Sequence, residues 1–131
     1  MKTDLEQIKN LISNQEILRD CEEVVATELA NVSEFVEPKD GESFVTQGDQ
    51  TNDLYLILSG KVLVEINGRQ KAIREFGTHV GEMAIVNPGA PRSATLRATA
   101  NTTLAKISEK NFCRIANAHP TLWKNISKIL A

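Results

Sequence analysis

The chain has 131 residues, of which 41% are hydrophobic and 24% charged, with a formal net charge of −2. That length fits one domain with a core of its own, and the apolar content argues against intrinsic disorder. Fifteen basic against seventeen acidic residues argue against a surface built mainly for nucleic acid or anionic lipid, while leaving room for one local site for a small anion.

The N-terminus, Met1-Lys2-Thr3-Asp4-Leu5-Glu6, has no apolar core segment and does not read as a signal peptide. No apolar run approaches the ~20 residues of a membrane span. Cys21 and Cys113 are too far apart in sequence to read as a metal pair and fit two small core residues. Together these features suggest a cytoplasmic protein.

Leu5, Ile8, Leu11 and Ile12 recur at helical spacing. Ser13 to Glu16 fits a capping box that restarts a helix, with Ile17, Leu18, Cys21, Val24, Val25 and Leu29 as its apolar face. From Phe35 the texture changes to short apolar runs separated by turn dipeptides. Leu54 to Leu58 is a continuous apolar run and reads as a fully buried strand. Lys61 to Ile66 alternates, with Val62, Val64 and Ile66 on one face, and Asn67-Gly68 supplies a tight hairpin. Arg92 to Ala98 and Thr102 to Ile107 are further strands joined by a short polar turn. Many short antiparallel strands with frequent turns predict a barrel or jelly roll. Ser108 reads as the N-cap of a helix carrying Phe112, Ile115 and Ala116 on one face. His119-Pro120 breaks that helix, and Pro120 opens another with Leu122, Ile126, Ile129 and Leu130 in a stripe.

One segment, Gly77 to Thr95, interrupts the strand texture. Gly81-Glu82 precedes Met83-Ala84-Ile85-Val86, which Asn87-Pro88-Gly89 ends abruptly, so a single helical turn is expected. The first N–H groups of such a turn have no partner within it and suit a phosphate. Gly81 lets a ligand approach the backbone, and Arg92, set by Pro91 at the start of a strand, offers a guanidinium fork for phosphate oxygens. Ser93 adds a hydroxyl donor. Glu82 accepts only when ionised, so beside a phosphate it needs a neutral donor such as a ribose 2′-OH. The alternative is an exposed Glu82–Arg92 ion pair of little value beside a mere turn.

The run Gly81-Glu82-Met83-Ala84, ending in Pro91-Arg92-Ser93-Ala94-Thr95, resembles the phosphate-binding cassette of cyclic nucleotide-binding domains. That family includes catabolite activator proteins, protein kinase A regulatory subunits and cyclic nucleotide-gated channels. Gly41 to Asp49 and Asp53 to Val62 are similar to its barrel signature, and the likeness runs from about Ile17 to Leu130. The resemblance implies a mainly β protein, an eight-stranded antiparallel jelly-roll barrel with N-terminal helices (1–33), a barrel (34–107) containing the cassette (81–95) and C-terminal lid helices (108–131). It implies that Glu82 holds the ribose 2′-OH and Arg92 the cyclic phosphate. Ser93 and the backbone N–H groups of Met83, Ala84 and Ala94 complete the cradle. Val80 departs from the phenylalanine often found before the Gly-Glu pair.

The function implied is a non-catalytic sensor of a 3′,5′-cyclic mononucleotide that signals through its C-terminal helices and needs no cofactor or metal. On family frequency cyclic AMP is favoured over cyclic GMP, CMP or UMP. A metal-dependent cupin would need several histidines, whereas this chain has only His79, expected to face solvent, and His119. A DNA-binding regulator would need a helix-turn-helix after the sensor. The chain is then either a free-standing sensor docking on a partner or the sensing piece of a larger effector, such as a transcription regulator, a channel or a bacterial defence effector. Trp123, the only tryptophan, either stacks on the base or extends the hydrophobic seam of its helix. That last helix is also a candidate homodimer contact.

Overall fold

The structure is a computed structural model and describes residues 5–129. Helix α1 (Leu5–Ser13) buries Ile8 and Ile12, as its apolar spacing predicts. The capping box does not form. The Ser13 hydroxyl instead donates to the Asn10 carbonyl at 2.8 Å, a local bond that competes with helix initiation. A short 3-10 turn (Glu16–Leu18) follows. Asp20, at φ +63°, then turns the chain out of helical geometry before α2 (Glu23–Val32) begins. Val24, expected on the apolar face, is exposed.

Eight strands follow among the described residues: β1 (Glu34–Val36), β2 (Ser43–Val45), β3 (Leu54–Ser59), β4 (Lys61–Ile66), β5 (Arg69–Glu75), β6 (His79–Val80), β7 (Thr95–Ala98) and β8 (Thr103–Ile107). They form two four-stranded antiparallel sheets, ordered β1-β8-β3-β6 and β2-β7-β4-β5. The chain changes sheet between β3 and β4 at Gly60. The φ of +81° there and the space taken by Thr102, which a Cβ would overlap, admit only glycine. It changes sheet again between β7 and β8, across the polar turn at Asn101.

The continuous apolar run of β3 is explained by two cores. Leu54, Leu56 and Leu58 face the helices and join Ile107, Phe112 and Ile115, while Tyr55 and Ile57 face the other sheet and join Val45, Val62 and Leu96. Alternate residues of one strand thus serve opposite cores, which is why the run from Leu54 to Leu58 carries no charged residue on either face.

The β4–β5 hairpin turns at Asn67 (φ +54°) and Gly68 (φ +79°), the pair of positive angles that this dipeptide supplies. Its register shifts between Val64 and Glu65, a bulge that leaves Lys71 without a partner across the ladder. Beyond the bulge, Ala72 lies opposite Val64 and Arg74 opposite Val62. Directly opposed residues share a face, so Ala72 and Arg74 lie on the inner face, with Ile73 on the outer one.

His79 corrects the sequence reading. It is not solvent-facing but buried, at 1% exposure, because its strand partner Leu56 lies on the helical side of the sheet. Neither ring nitrogen has a hydrogen-bond partner among the described residues. Burial pushes its pKa down to about 4, helped by the positive charge of Arg74.

Helix α4 (Glu109–Ala118) is capped as expected, the Ser108 hydroxyl accepting from the Asn111 N–H at 3.2 Å. At the junction before α5 (Pro120–Ile129), His119 meets the Glu28 carboxylate at 3.1 Å. Leu122 and Ile126 are fully buried, while Leu130 of the expected stripe lies outside the described residues. Asn125 ties α5 to the N-terminal turn, donating to the carbonyls of Ile17 and Arg19, each at 2.7 Å.

Candidate functional site

Between the two sheets opens a cavity of about 300 Å³, at the lower end of the ~300–1,000 Å³ typical of small-molecule sites. Its apolar wall is Val45, Val64, Ile66 and Leu96, the inward residues of β2, β4 and β7. Its polar side is the segment between β6 and β7. There Met83–Val86 forms the expected helical turn, α3, with Glu82 at its N-cap. Proline and glycine at positions 88 and 89 stop it from continuing.

Arg92 is the centre of the polar side. It sits in the loop before β7 rather than on the strand, because Thr95 is the first residue to enter the ladder. A backbone pair fixes it: the Arg92 N–H donates to the Asp49 carbonyl at 2.7 Å, and Gly48 N–H donates to the Arg92 carbonyl at 2.8 Å. The guanidinium is buried and held by three bonds. Nε donates to the Thr51 hydroxyl at 2.9 Å, one terminal nitrogen to the Asp53 carbonyl at 2.8 Å and the other to the Gly81 carbonyl at 3.2 Å. A guanidinium has five N–H donors. The remaining two, one on each terminal nitrogen, have no partner among the described residues and leave the guanidinium with donors of the kind that carboxylates and phosphates accept from. Burial pulls the Arg92 pKa down, and the nearby Tyr55, Asp53, Asp49 and Glu82 oppose that pull.

Gly81 lies between Arg92 and the loop carrying Asp53. At φ +86° it adopts a geometry L-residues avoid, and a Cβ would come within 2.9 Å of the Asp53 carbonyl. Only glycine lets the turn close this tightly on the arginine. Glu82 is largely buried. Burial raises its carboxyl pKa, and its own backbone N–H, Arg74 and Arg92 hold it down in that order. Apart from its own backbone N–H, the carboxylate has no hydrogen-bond partner among the described residues, which leaves it acceptor capacity inside the cavity.

The other expected residues divide. Met83, Ala84, Ser93 and Ala94 all line the cavity beside Glu82 and Arg92. Met83 and Ala94 N–H groups make no backbone hydrogen bond among the described residues, whereas the Ala84 N–H closes the turn onto the Gly81 carbonyl at 3.2 Å. The Ser93 side chain is exposed at the rim. Trp123 is not brought to the cavity. Its ring packs edge-on against Phe112, with centroids 5.7 Å apart, and its indole N–H donates to Asn117 at 2.9 Å. It extends the hydrophobic seam of α5, the alternative weighed above. No group of three or more metal-ligating side chains occurs among the described residues.

Sequence reasoning missed Thr51, Asp53 and Arg74. The first two hold Arg92 through a hydroxyl and a backbone carbonyl, groups too common to stand out in a sequence. Arg74, which lines the cavity from β5, lies in a segment after the Asn67-Gly68 turn to which sequence reasoning assigned no strand.

A buried arginine with donors to spare, a carboxylate and backbone N–H groups without backbone partners surround one largely apolar chamber, an arrangement suited to a small polar anion. Residues 35–119 match the family model described as cyclic nucleotide-binding domain, and the chain belongs to that family, whose domain is a regulatory module. The chain is 40% identical over 107 residues to the Pycsar effector protein XpPycTIR of Xanthomonas perforans, covering 82% of this chain and 35% of that protein. It is 33% identical over 108 residues to the cAMP-dependent protein kinase regulatory subunit of Mucor circinelloides f. lusitanicus, covering 79% and 25%. The solved structure "cAMP bound PfPKA-R (141-441)" superposes with a TM-score of 0.82 at 18% identity, over 95% of this chain and 47% of that one. The chain thus spans about a third of the length of the effector relative it matches, and no helix among the described residues is long and apolar enough to cross a membrane.

Proposed function

We propose that the cavity binds one 3′,5′-cyclic mononucleotide without turnover, and that the chain is the cytoplasmic sensing domain of a larger effector protein. The observation that carries this reading is the buried Arg92 guanidinium, which keeps two donors beyond its three protein bonds and lines the same cavity as the Glu82 carboxylate. Arg92 with the N–H groups of Met83 and Ala94 takes the single phosphate charge, Ser93 closes the rim, and Glu82 accepts the 2′-OH. The two sheets act as the halves of a jelly-roll barrel spanning 34–107, within a single domain.

Signalling follows from α3. Ile85 on this turn is buried in the helical core with Phe112 and Ile115 of α4, and the two helices are in contact. A ligand that draws α3 toward its phosphate therefore displaces α4 and, through it, α5. The neighbouring XpPycTIR is named an effector protein, which favours the sensor-of-an-effector reading over a free-standing sensor.

Calorimetry and thermal melting with cyclic AMP, GMP, CMP and UMP test the reading. Cyclic AMP is the first ligand by family frequency. A ligand present at 100 times its Kd adds about 2.7 kcal/mol of stability. An unchanged melting temperature with all four in excess would overturn it.

A further inference from the structure

Strand β5 ends its sheet, with β4 on one side and a free edge on the other. Arg69, Gln70, Lys71, Ile73 and Glu75 along it are exposed. Ile73, on the outer face, is 48% exposed, and Phe76, directly after the strand, is 51% exposed. An edge of this length carrying apolar residues is a template for another strand, and proteins usually blunt such edges with charge. Here the charges are placed so that they favour one pairing.

The backbone groups of Ile73 point off that edge. The Thr99 N–H donates to the Lys61 carbonyl at 3.1 Å, so the Lys61 backbone turns toward β7 and away from β5. Backbone direction in a strand repeats every second residue, so Leu63 turns the same way. Glu75 and Ile73, which lie opposite Lys61 and Leu63, therefore form non-hydrogen-bonded pairs with β4. Thr78 takes the Glu75 carbonyl from the far side, through its N–H at 3.1 Å and its hydroxyl at 2.7 Å. Ile73 has no such partner among the described residues.

A second copy of this chain supplies one. Two identical chains close on a two-fold axis, which sets their β5 strands antiparallel. An axis at Ala72 or Arg74 would pair residues whose backbones already serve β4. An axis at Lys71 sets lysine against lysine and one at Glu75 sets carboxylate against carboxylate, and like charges directly opposite are destabilising. An axis at Ile73 has none of these faults. Ile73 then meets Ile73, exchanging two N–H···O=C bonds, and Lys71 of each copy lies opposite Glu75 of the other. Lys71 makes no ion pair among the described residues, and Glu75 meets only Lys61, at 3.7 Å, with both side chains more than half exposed.

We propose that two copies of this chain pair edge to edge through β5, antiparallel about a two-fold axis at Ile73, with Lys71 of each copy against Glu75 of the other. The pairing joins two four-stranded sheets into one. It does not depend on what the cavity holds.

Sedimentation velocity of the chain over a range of concentrations, at low salt and without ligand, tests it. The wild type is expected to pass from monomer to dimer as concentration rises. Lys71→Glu and Glu75→Lys each set like charges opposite one another and should raise the dimer dissociation constant at least tenfold. The double reversal Lys71→Glu/Glu75→Lys restores opposite charges across the axis and should recover the wild-type constant within threefold. Both positions are exposed, so all three variants should keep the wild-type melting temperature when dilute. A wild type that stays monomeric throughout overturns the proposal. So does a dimer indifferent to the single reversals, as one seated on the C-terminal helix would be, or a double reversal that recovers nothing.

Discussion

The Gly81 carbonyl accepts from the Arg92 guanidinium at 3.2 Å, and a Cβ on Gly81 would stand 3.1 Å from that same nitrogen. One residue therefore both holds the arginine and leaves room for it. Gly81→Ala is expected to lose on both counts. The positive φ costs on the order of 1–3 kcal/mol, and the methyl group meets the Asp53 backbone at 2.9 Å, which cannot step aside as a side chain can. Melting should show that loss, and calorimetry should show ligand affinity falling at least tenfold.

Arg92→Ala should weaken ligand binding far more than Arg97→Ala. Losing the partner of a buried phosphate charge costs about 2–5 kcal/mol. Arg97 lies on the outer face, paired with Glu65 at 3.2 Å and with the Gly41 carbonyl at 2.9 Å, and is partly exposed. Its removal should cost less than about 1 kcal/mol of stability and leave affinity unchanged. Equal affinity losses in titration would place the anion elsewhere.

Glu82→Gln should lower affinity for a ribonucleotide and leave that for its 2′-deoxy analogue unchanged, since only the former offers the 2′-OH. The same variant makes a prediction for the free protein. Burial raises the Glu82 pKa above its ordinary value, so this group stabilises the fold below the unfolded pKa and loses that contribution as pH rises through the folded one. At neutral pH the uncharged amide removes the burial cost of the charge. Its melting temperature there should match or exceed that of the wild type.

His79 sets an acid limit on stability. Its folded pKa of about 4 lies below the ordinary 6.5, so between these values the unfolded chain binds more protons. Stability is complete above pH 6.5 and falls as the pH drops toward 4, by on the order of 3 kcal/mol from this group. His79→Leu should flatten urea midpoints across that window. A wild-type midpoint that stays constant from pH 6.5 to 4 would show that His79 finds a partner when charged.

Much of this was legible in the sequence because it depended on local chemistry. Asn67-Gly68 fixed a hairpin, Ser108 a cap, His119-Pro120 a helix break and Gly81 through Val86 a single turn. What was not legible depended on partners distant in the chain. The capping box at Ser13 lost to a bond with Asn10 and to the left-handed Asp20. His79 is polar in type, but its neighbour across the ladder is Leu56, and that pairing is not written near either residue. Trp123 had two readings, and the choice depended on where Phe112 lies. Arg74 is the clearest case. Counting by twos from Arg69, which lies opposite Ile66, turns Ile73 inward and Arg74 outward. Only the bulge at Val64/Glu65 reverses that parity and leaves Ile73 48% exposed.

The same bulge makes Arg69–Glu75 a strand with two latent inner surfaces, one aliphatic through Ile73 and one cationic through Arg74. Straightening it with every residue kept would slide Ile73 opposite Val62 and turn Arg74 outward. Descendants of this chain can therefore exchange one chamber chemistry for the other through backbone slack alone. Such a change in what the chamber admits would leave no altered side chain along its wall for a comparison of sequences to detect.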